Sequence, residues 1–159
     1  MLPIVLAEAV RTADFAAARV LFREYAAGLG VDLCFQGFEA ELERLPEVYG
    51  APEGCLVLAR AGERPVGCGA LRLIAGQVCE MKRLYVRAEA RGTGVGRILA
   101  ESLVAKGRSL GYACMRLDTL AHMAAARELY RSLGFVEIAA YYDNPLPHVV
   151  YMELDLSAG

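Results

Sequence analysis

The stretch Arg91-Gly92-Thr93-Gly94-Val95-Gly96-Arg97 places three glycines at alternate positions between two arginines, and an apolar helical pattern follows directly. A strand that enters a glycine turn and then a helix presents backbone N–H groups with no partner in the helix, and the helix dipole adds partial positive charge there. Glycine lets the backbone approach a ligand closely. Such a turn is an anion site, most naturally for phosphate. The guanidinium groups of Arg91 and Arg97 match phosphate oxygens in shape and charge. The mononucleotide loop GxxxxGK[ST] does not occur in the chain, and the dinucleotide fingerprint GxGxxG begins at Gly92 and Gly94 but meets Arg97 where its third glycine belongs. The loop also comes late, after several predicted strands. The pyrophosphate of a CoA-type cofactor is left, against the plainer alternative of a tight turn that binds nothing.

The elements around the loop are legible from apolar periodicity and turn residues. Residues 3–10 read as a first strand. A helix capped by Thr12 carries Phe15, Ala18, Leu21, Phe22, Tyr25 and Leu29 on one face and ends at Gly28 and Gly30. Residues 38–45 read as a second, shorter helix. Strands follow at 55–61, 65–74 and 77–87, then the glycine loop and a helix over about 95–110. A strand at 113–119, a helix at 123–133 and two last strands, 135–142 and 148–156, complete the chain. This order predicts a mixed α/β sheet with helices on its faces.

Composition narrows the functional classes. At 159 residues, with 56 % hydrophobic and 23 % charged residues, one domain with a substantial core is expected over 1–159. A net charge of −2 gives no electrostatic reason to expect nucleic acid or an anionic membrane. No apolar run reaches spanning length, and the N-terminus lacks the basic region of a signal peptide, so a cytoplasmic protein is expected. The five cysteines, Cys34, Cys55, Cys68, Cys79 and Cys114, contain no CxxC pair, and neither His122 nor His148 completes a zinc pattern, so no metal is expected. Reduced core or strand cysteines are the reading.

Arg91-Gly92-Thr93-Gly94-Val95-Gly96, the preceding MKRLYV (81–86) and ARELYRSLGF (126–135) together resemble the GNAT superfamily of acyl-CoA-dependent N-acyltransferases, in the right order and over nearly the whole chain. The resemblance implies an α/β fold with a mixed, mostly antiparallel central sheet and helices on both faces. It implies acetyl-CoA as cosubstrate, its pyrophosphate held by loop amides from Arg91 to Arg97 and its pantetheine arm by the backbone of Leu84, Tyr85 and Val86. It places Tyr130 where the family keeps a tyrosine acid for the departing thiolate. It also suggests Glu80 as the base that frees the attacking amine, directly or through water. Simple alternation puts Glu80, Lys82, Leu84 and Val86 on one face, unless a bulge changes the parity. One departure is Met123, where many members carry an asparagine, with His122 or Asp118 as candidate replacements.

Acceptor choice in the family usually lies between the first two helices and in the last hairpin. Here Phe35, Gln36, Tyr141, Tyr142, Asn144 and His148 are the candidate lining residues. Lys82 and Arg83 suggest attraction for a carboxylate, as on an amino-acid-like acceptor. Two classes remain at this stage: an N-acetyltransferase acting on a primary amine of a small molecule, amino acid or peptide, and an acyl-CoA-binding sensor or interaction module without chemistry. A homodimer is common in the family, though nothing in this sequence specifies one.

Overall fold

The computed structural model describes residues 2–30, 33 and 37–157. The chain runs β1 (Ile4–Glu8), α1 (Thr12–Leu29), α2 (Phe38–Glu43), α3 (Leu45–Val48), β2 (Cys55–Ala61), β3 (Arg64–Ala75), β4 (Val78–Val86), α4 (Val95–Ser109), β5 (Cys114–Leu120), α5 (Ala124–Ser132), β6 (Val136–Ile138) and β7 (Val149–Asp155). The strands form one sheet in the order β1-β2-β3-β4-β5-β7-β6. Every neighbouring pair is antiparallel except β4 with β5.

The central strands are apolar on both faces because helices cover both. Leu56 and Leu58 of β2 pack with Phe15, Leu21 and Phe22 of α1 and with Leu42 and Leu45 of α2 and α3. Val57 and Ala59 alternate to the opposite face, where Val95, Leu99 and Leu103 of α4 and Tyr130 of α5 complete a second core. This is the mixed, largely antiparallel sheet with helices on both faces that the sequence predicts. No helix of the described residues is long and apolar enough to cross a membrane.

Two irregularities create the site. The parallel ladder between β4 and β5 pairs Val78 with Cys114, Cys79 with Met115 and Glu80 with Arg116, and then stops. Both strands continue, β4 to Val86 and β5 to Leu120, so they splay apart and leave one edge of β4 open. A bulge interrupts β4 in the same region. Tyr85 pairs with Cys68 and Lys82 with Ala70, so three steps on β4 face two on β3, and Arg83 takes the left-handed conformation with φ 60°. The bulge reverses the side-chain alternation. Cys79 and Met81 face the α4 core, which puts Glu80 and Lys82 on the α1 side, whereas Leu84 and Val86 beyond the bulge return to the α4 side. The four residues therefore do not share a face.

Smaller differences have local causes. Arg11, not Thr12, occupies the cap of α1, where the Asp14 carboxylate accepts the backbone N–H groups of Val10 and Arg11 at 3.0 Å each. The expected helix over 38–45 divides at Arg44, which leaves the helical region just ahead of Pro46. The strand expected over 135–142 ends at Ile138. Beyond it the chain departs from the sheet because Tyr141 and Tyr142 fold onto carboxylates of β4 and β5.

Candidate active site

The split between β4 and β5 opens into a cavity of about 650 Å³. Leu84, Tyr85 and Val86 form one wall, Asp118 and Thr119 the other, and α5 closes the end with Leu129 and Tyr130. The glycine loop stands at its rim. Gly92 and Gly94 hold φ values of 78° and 86°, and Gly94 is the N-cap of α4. No side chain caps this helix, and no acidic residue occupies its first turn. The N–H groups of Val95, Gly96 and Arg97 thus stand at the positive end of a 15-residue helix with no carboxylate competing for them. A Cβ on Gly92 or Gly94 would meet nothing within 4 Å, so the space above the loop is open. Gly96 serves packing instead, since a Cβ there would lie 3.7 Å from Val86 and 3.8 Å from Leu129.

The remaining loop residues divide between the cavity and its frame. Arg91 lines the cavity and donates its Nε–H to the Val86 carbonyl at 3.0 Å. The Thr93 hydroxyl donates to the Ala90 carbonyl and closes the turn. Arg97 donates to Ser132 Oγ at 2.7 Å, which ties α4 to α5, and is not among the cavity-lining residues. The Tyr85 hydroxyl is carried to the α1 side, where it donates to Glu24 at 3.2 Å.

Tyr130 is 7 % exposed, with its ring edge-on to Phe135 at 5.8 Å. Burial, reinforced by the neighbouring Tyr25 and Asp118, holds its hydroxyl well above the usual phenol range. Glu80 is 2 % exposed and lines neither this cavity nor the smaller one beside it. Its Oε1 accepts from Arg72 at 2.9 Å and its Oε2 from Tyr141 at 2.6 Å. Sequence reasoning overlooked both partners: Tyr141 lies 61 residues away, whereas Arg72 stands opposite Glu80 in the β3–β4 hairpin, a pairing that the hairpin register could have signalled.

The smaller cavity, about 30 Å³, adjoins the first and shares Tyr25, Arg83, Asp118 and Thr119 with it. Asn144, Leu146 and Val149 supply its outer side. Tyr142 donates its hydroxyl to Asp118 Oδ2, and Asn144 donates to the Tyr142 oxygen at 2.8 Å. Of the expected acceptor residues, Tyr142 and Asn144 are therefore brought together here, while Phe35 and Gln36 lie outside the described residues. Arg83 does not present a cation to an acceptor, since Glu41 accepts from its Nε at 3.0 Å and from its second guanidinium nitrogen at 2.8 Å. Lys82 lines the cavity, and burial above all lowers its pKa.

The described cysteines line neither cavity. Burial pushes the Cys55 and Cys79 thiols up to about 12, far from a reactive thiolate. Among the described residues no three His, Cys, Asp or Glu side chains are grouped to hold a metal ion.

A glycine turn at an open helix N-terminus, set against a split sheet, is the arrangement of a CoA-dependent acyltransferase. The model of the acetyltransferase (GNAT) family matches residues 21–135, and the chain belongs to this family and is an acyltransferase. Members of the family use acetyl-CoA and act on amine acceptors. An uncharacterized N-acetyltransferase of Schizosaccharomyces pombe is 42 % identical over 141 residues, covering 87 % of this chain and 86 % of its own. An IAA acetyltransferase of Azospirillum brasilense is 33 % identical over 107 residues, covering 66 % and 70 %. Among solved structures, an acetyltransferase of Streptococcus agalactiae superposes with a TM-score of 0.79 at 21 % identity, covering 96 % of this chain and 98 % of its own. A Salmonella typhimurium protein solved with its cofactor acetyl-CoA gives 0.70 at 20 % identity, covering 96 % and 94 %. These last two likenesses concern the fold.

Proposed function

We propose that the protein transfers an acetyl group from acetyl-CoA to a primary amine of a small molecule, amino acid or peptide by direct attack. The observation that carries this reading is the uncapped, acid-free N-terminus of α4 opening onto the split between β4 and β5, with Tyr130 at its far side. Loop amides from Gly92 to Arg97, aided by the Arg91 side chain at the cavity wall, would hold the pyrophosphate. The open edge of β4 at Leu84, Tyr85 and Val86 would pair with the amide-bearing arm as a neighbouring strand would. Bound acetyl-CoA supplies the thioester carbon that the amine attacks and the thiolate that leaves.

Tyr130 meets that departure as a hydrogen-bond donor. A phenol near pKa ~10 is already a weaker acid than a thiol near ~8.5, and burial makes Tyr130 weaker still. Its proton therefore stabilises growing negative charge on sulfur and passes across only as the C–S bond breaks. Glu80, the base expected from the sequence, has both oxygens engaged by Arg72 and Tyr141 and lines neither cavity, so it supports the site from behind. Tyr142 and Asn144, with Phe35 and Gln36, frame the acceptor in this reading. The buried free thiols of Cys55, Cys68 and Cys79 suit a reducing compartment, in keeping with a cytoplasmic enzyme.

The test is acetyl transfer to a panel of amines, read by mass spectrometry. Gain of one acetyl group on an amine supports the proposal, and failure on every amine by folded protein contradicts it. Tyr130→Phe should lower kcat by about tenfold or more, within the range for a positioned proton donor, with little change in acetyl-CoA affinity. Equal turnover would remove Tyr130 from the reaction. An acyl-CoA-binding module without chemistry would bind acetyl-CoA and acetylate none of the panel.

A further inference from the structure

We infer that Asp118 receives the ammonium group of the acceptor and takes its proton, at the junction between the cofactor groove and the smaller cavity. This rests on the acetyl-transfer reading above. The last rung of the parallel ladder joins Glu80 to Arg116. Two residues further along each strand, on the same face, Lys82 and Asp118 confront each other across the opening. Asp118 lines both cavities and, among the described residues, is the sole carboxylate that lines either. Among the described residues, three other carboxylates nearby are already engaged: Glu80 by Arg72 and Tyr141, Glu41 by Arg83, and Glu153 by Arg116.

The carboxylate is held in place from the acceptor side. Its Oδ2 accepts from Tyr142, whose oxygen accepts from Asn144, and Asn144 Oδ1 in turn accepts the Leu146 N–H at 2.9 Å. Among the described residues no hydrogen bond reaches Oδ1 of Asp118. The groups facing Asp118 are Lys82 and Arg83 from β4, Tyr25 from α1, Tyr130 from α5, Tyr141 and Tyr142 from the last loop, Tyr151 from β7 and His122 at the end of β5. Tyrosines that stay protonated surround the carboxylate with hydroxyls and bring no second anion. Leu29, Leu33, Leu120 and Val149 make the adjoining walls apolar, which strengthens attraction between Asp118 and a cation.

One ammonium proton passes to Oδ1 of Asp118, the freed nitrogen lone pair forms the C–N bond, and the C–S bond breaks. The acylated nitrogen then sheds a second proton, which makes good the one that Tyr130 gives to the thiolate, so Tyr130 ends protonated, the amide is neutral and Asp118 returns its proton to water.

A pH–rate comparison tests this with 2-phenylethylamine, L-phenylalaninamide and a lysine-containing peptide as acceptors, using the one that wild type acetylates fastest. Asp118→Asn should lower kcat/KM at least about a hundredfold near pH 7, as loss of a general base does, with acetyl-CoA affinity unchanged. The defect should shrink by about tenfold or more near pH ~10, where an ordinary amine has lost its own proton. A second variant, Asp118→Ala, should regain activity on addition of formate as a replacement base. A defect constant across pH, no rescue by formate, or the pH-dependent loss appearing in Glu80→Gln instead would overturn the assignment. If wild type acetylates none of the three amines, the acetyl-transfer reading fails at the acceptor and the inference falls with it.

Discussion

Gly94→Val abolishes acetyl-CoA binding at micromolar concentrations while the protein still unfolds cooperatively. The reason lies in the backbone. A Cβ at position 94 meets nothing within 4 Å, so crowding is absent, but φ there is 86°. A β-branched residue at positive φ is strained by about 1–3 kcal/mol. The exposed loop can relieve that strain by turning residue 94 out of its left-handed well. Doing so re-aims the N–H groups of residues 94–97, which form the centre of the proposed pyrophosphate site. We expect acetyl-CoA affinity to fall at least about a hundredfold, corresponding to roughly 2.7 kcal/mol. Gly94→Asn is the control, since asparagine tolerates this conformation better than valine. It should retain more affinity than Gly94→Val. Wild-type affinity in the valine variant would show that these amides do not bind the phosphates.

Loss of the buried ion pair between Arg83 and Glu41 costs the protein about 3–5 kcal/mol of stability, the usual effect of leaving one member of such a pair alone. Their side chains are 3 % and 8 % exposed, and the guanidinium also lies 5.2 Å from the centre of the Phe38 ring. Arg83→Met or Glu41→Gln should therefore lower Tm by about 10 °C or more for a chain of this size. The double variant Arg83→Met with Glu41→Leu should recover much of the loss, because it leaves no buried charge unpaired. An additive double variant would contradict the pairing argument. Burial pushes the Glu41 carboxyl upward, but the hydrogen bonds and charge of Arg83 outweigh it and hold its pKa below 4.5. Its stabilisation is thus present above the unfolded value and is lost as pH falls through the lower folded one. The Tm difference between wild type and Glu41→Gln should narrow in acid, and widening there would contradict the sign.

That pair also shows where sequence reading stops. Cys55–Ala61 is legible because a short apolar run between turn residues has few alternatives. The apolar face of α1 and the glycine loop are legible for similar local reasons. The bulge at Arg83 is not. An arginine at positive φ follows no propensity, and it is held by Glu41, 42 residues away. The parity of Glu80 relative to Leu84 depends on that bulge, so the side of the sheet that Glu80 faces was hidden as well. The aromatic run at Tyr141 and Tyr142 has strand propensity. It leaves the sheet because its hydroxyls bond to Glu80 and Asp118, partners 61 and 24 residues distant. Asp118 shows in the sequence as one strand-end carboxylate among several. Its position on both cavities follows from the point at which β4 and β5 part.

The most direct test of the central claim is calorimetric titration of the protein with acetyl-CoA, with NADH and ATP run alongside. The glycine turn, the uncapped α4 and the open edge of β4 predict micromolar binding of acetyl-CoA and none comparable of the other two. Well-folded protein that leaves acetyl-CoA unbound, or binds NADH or ATP equally well, would contradict the account.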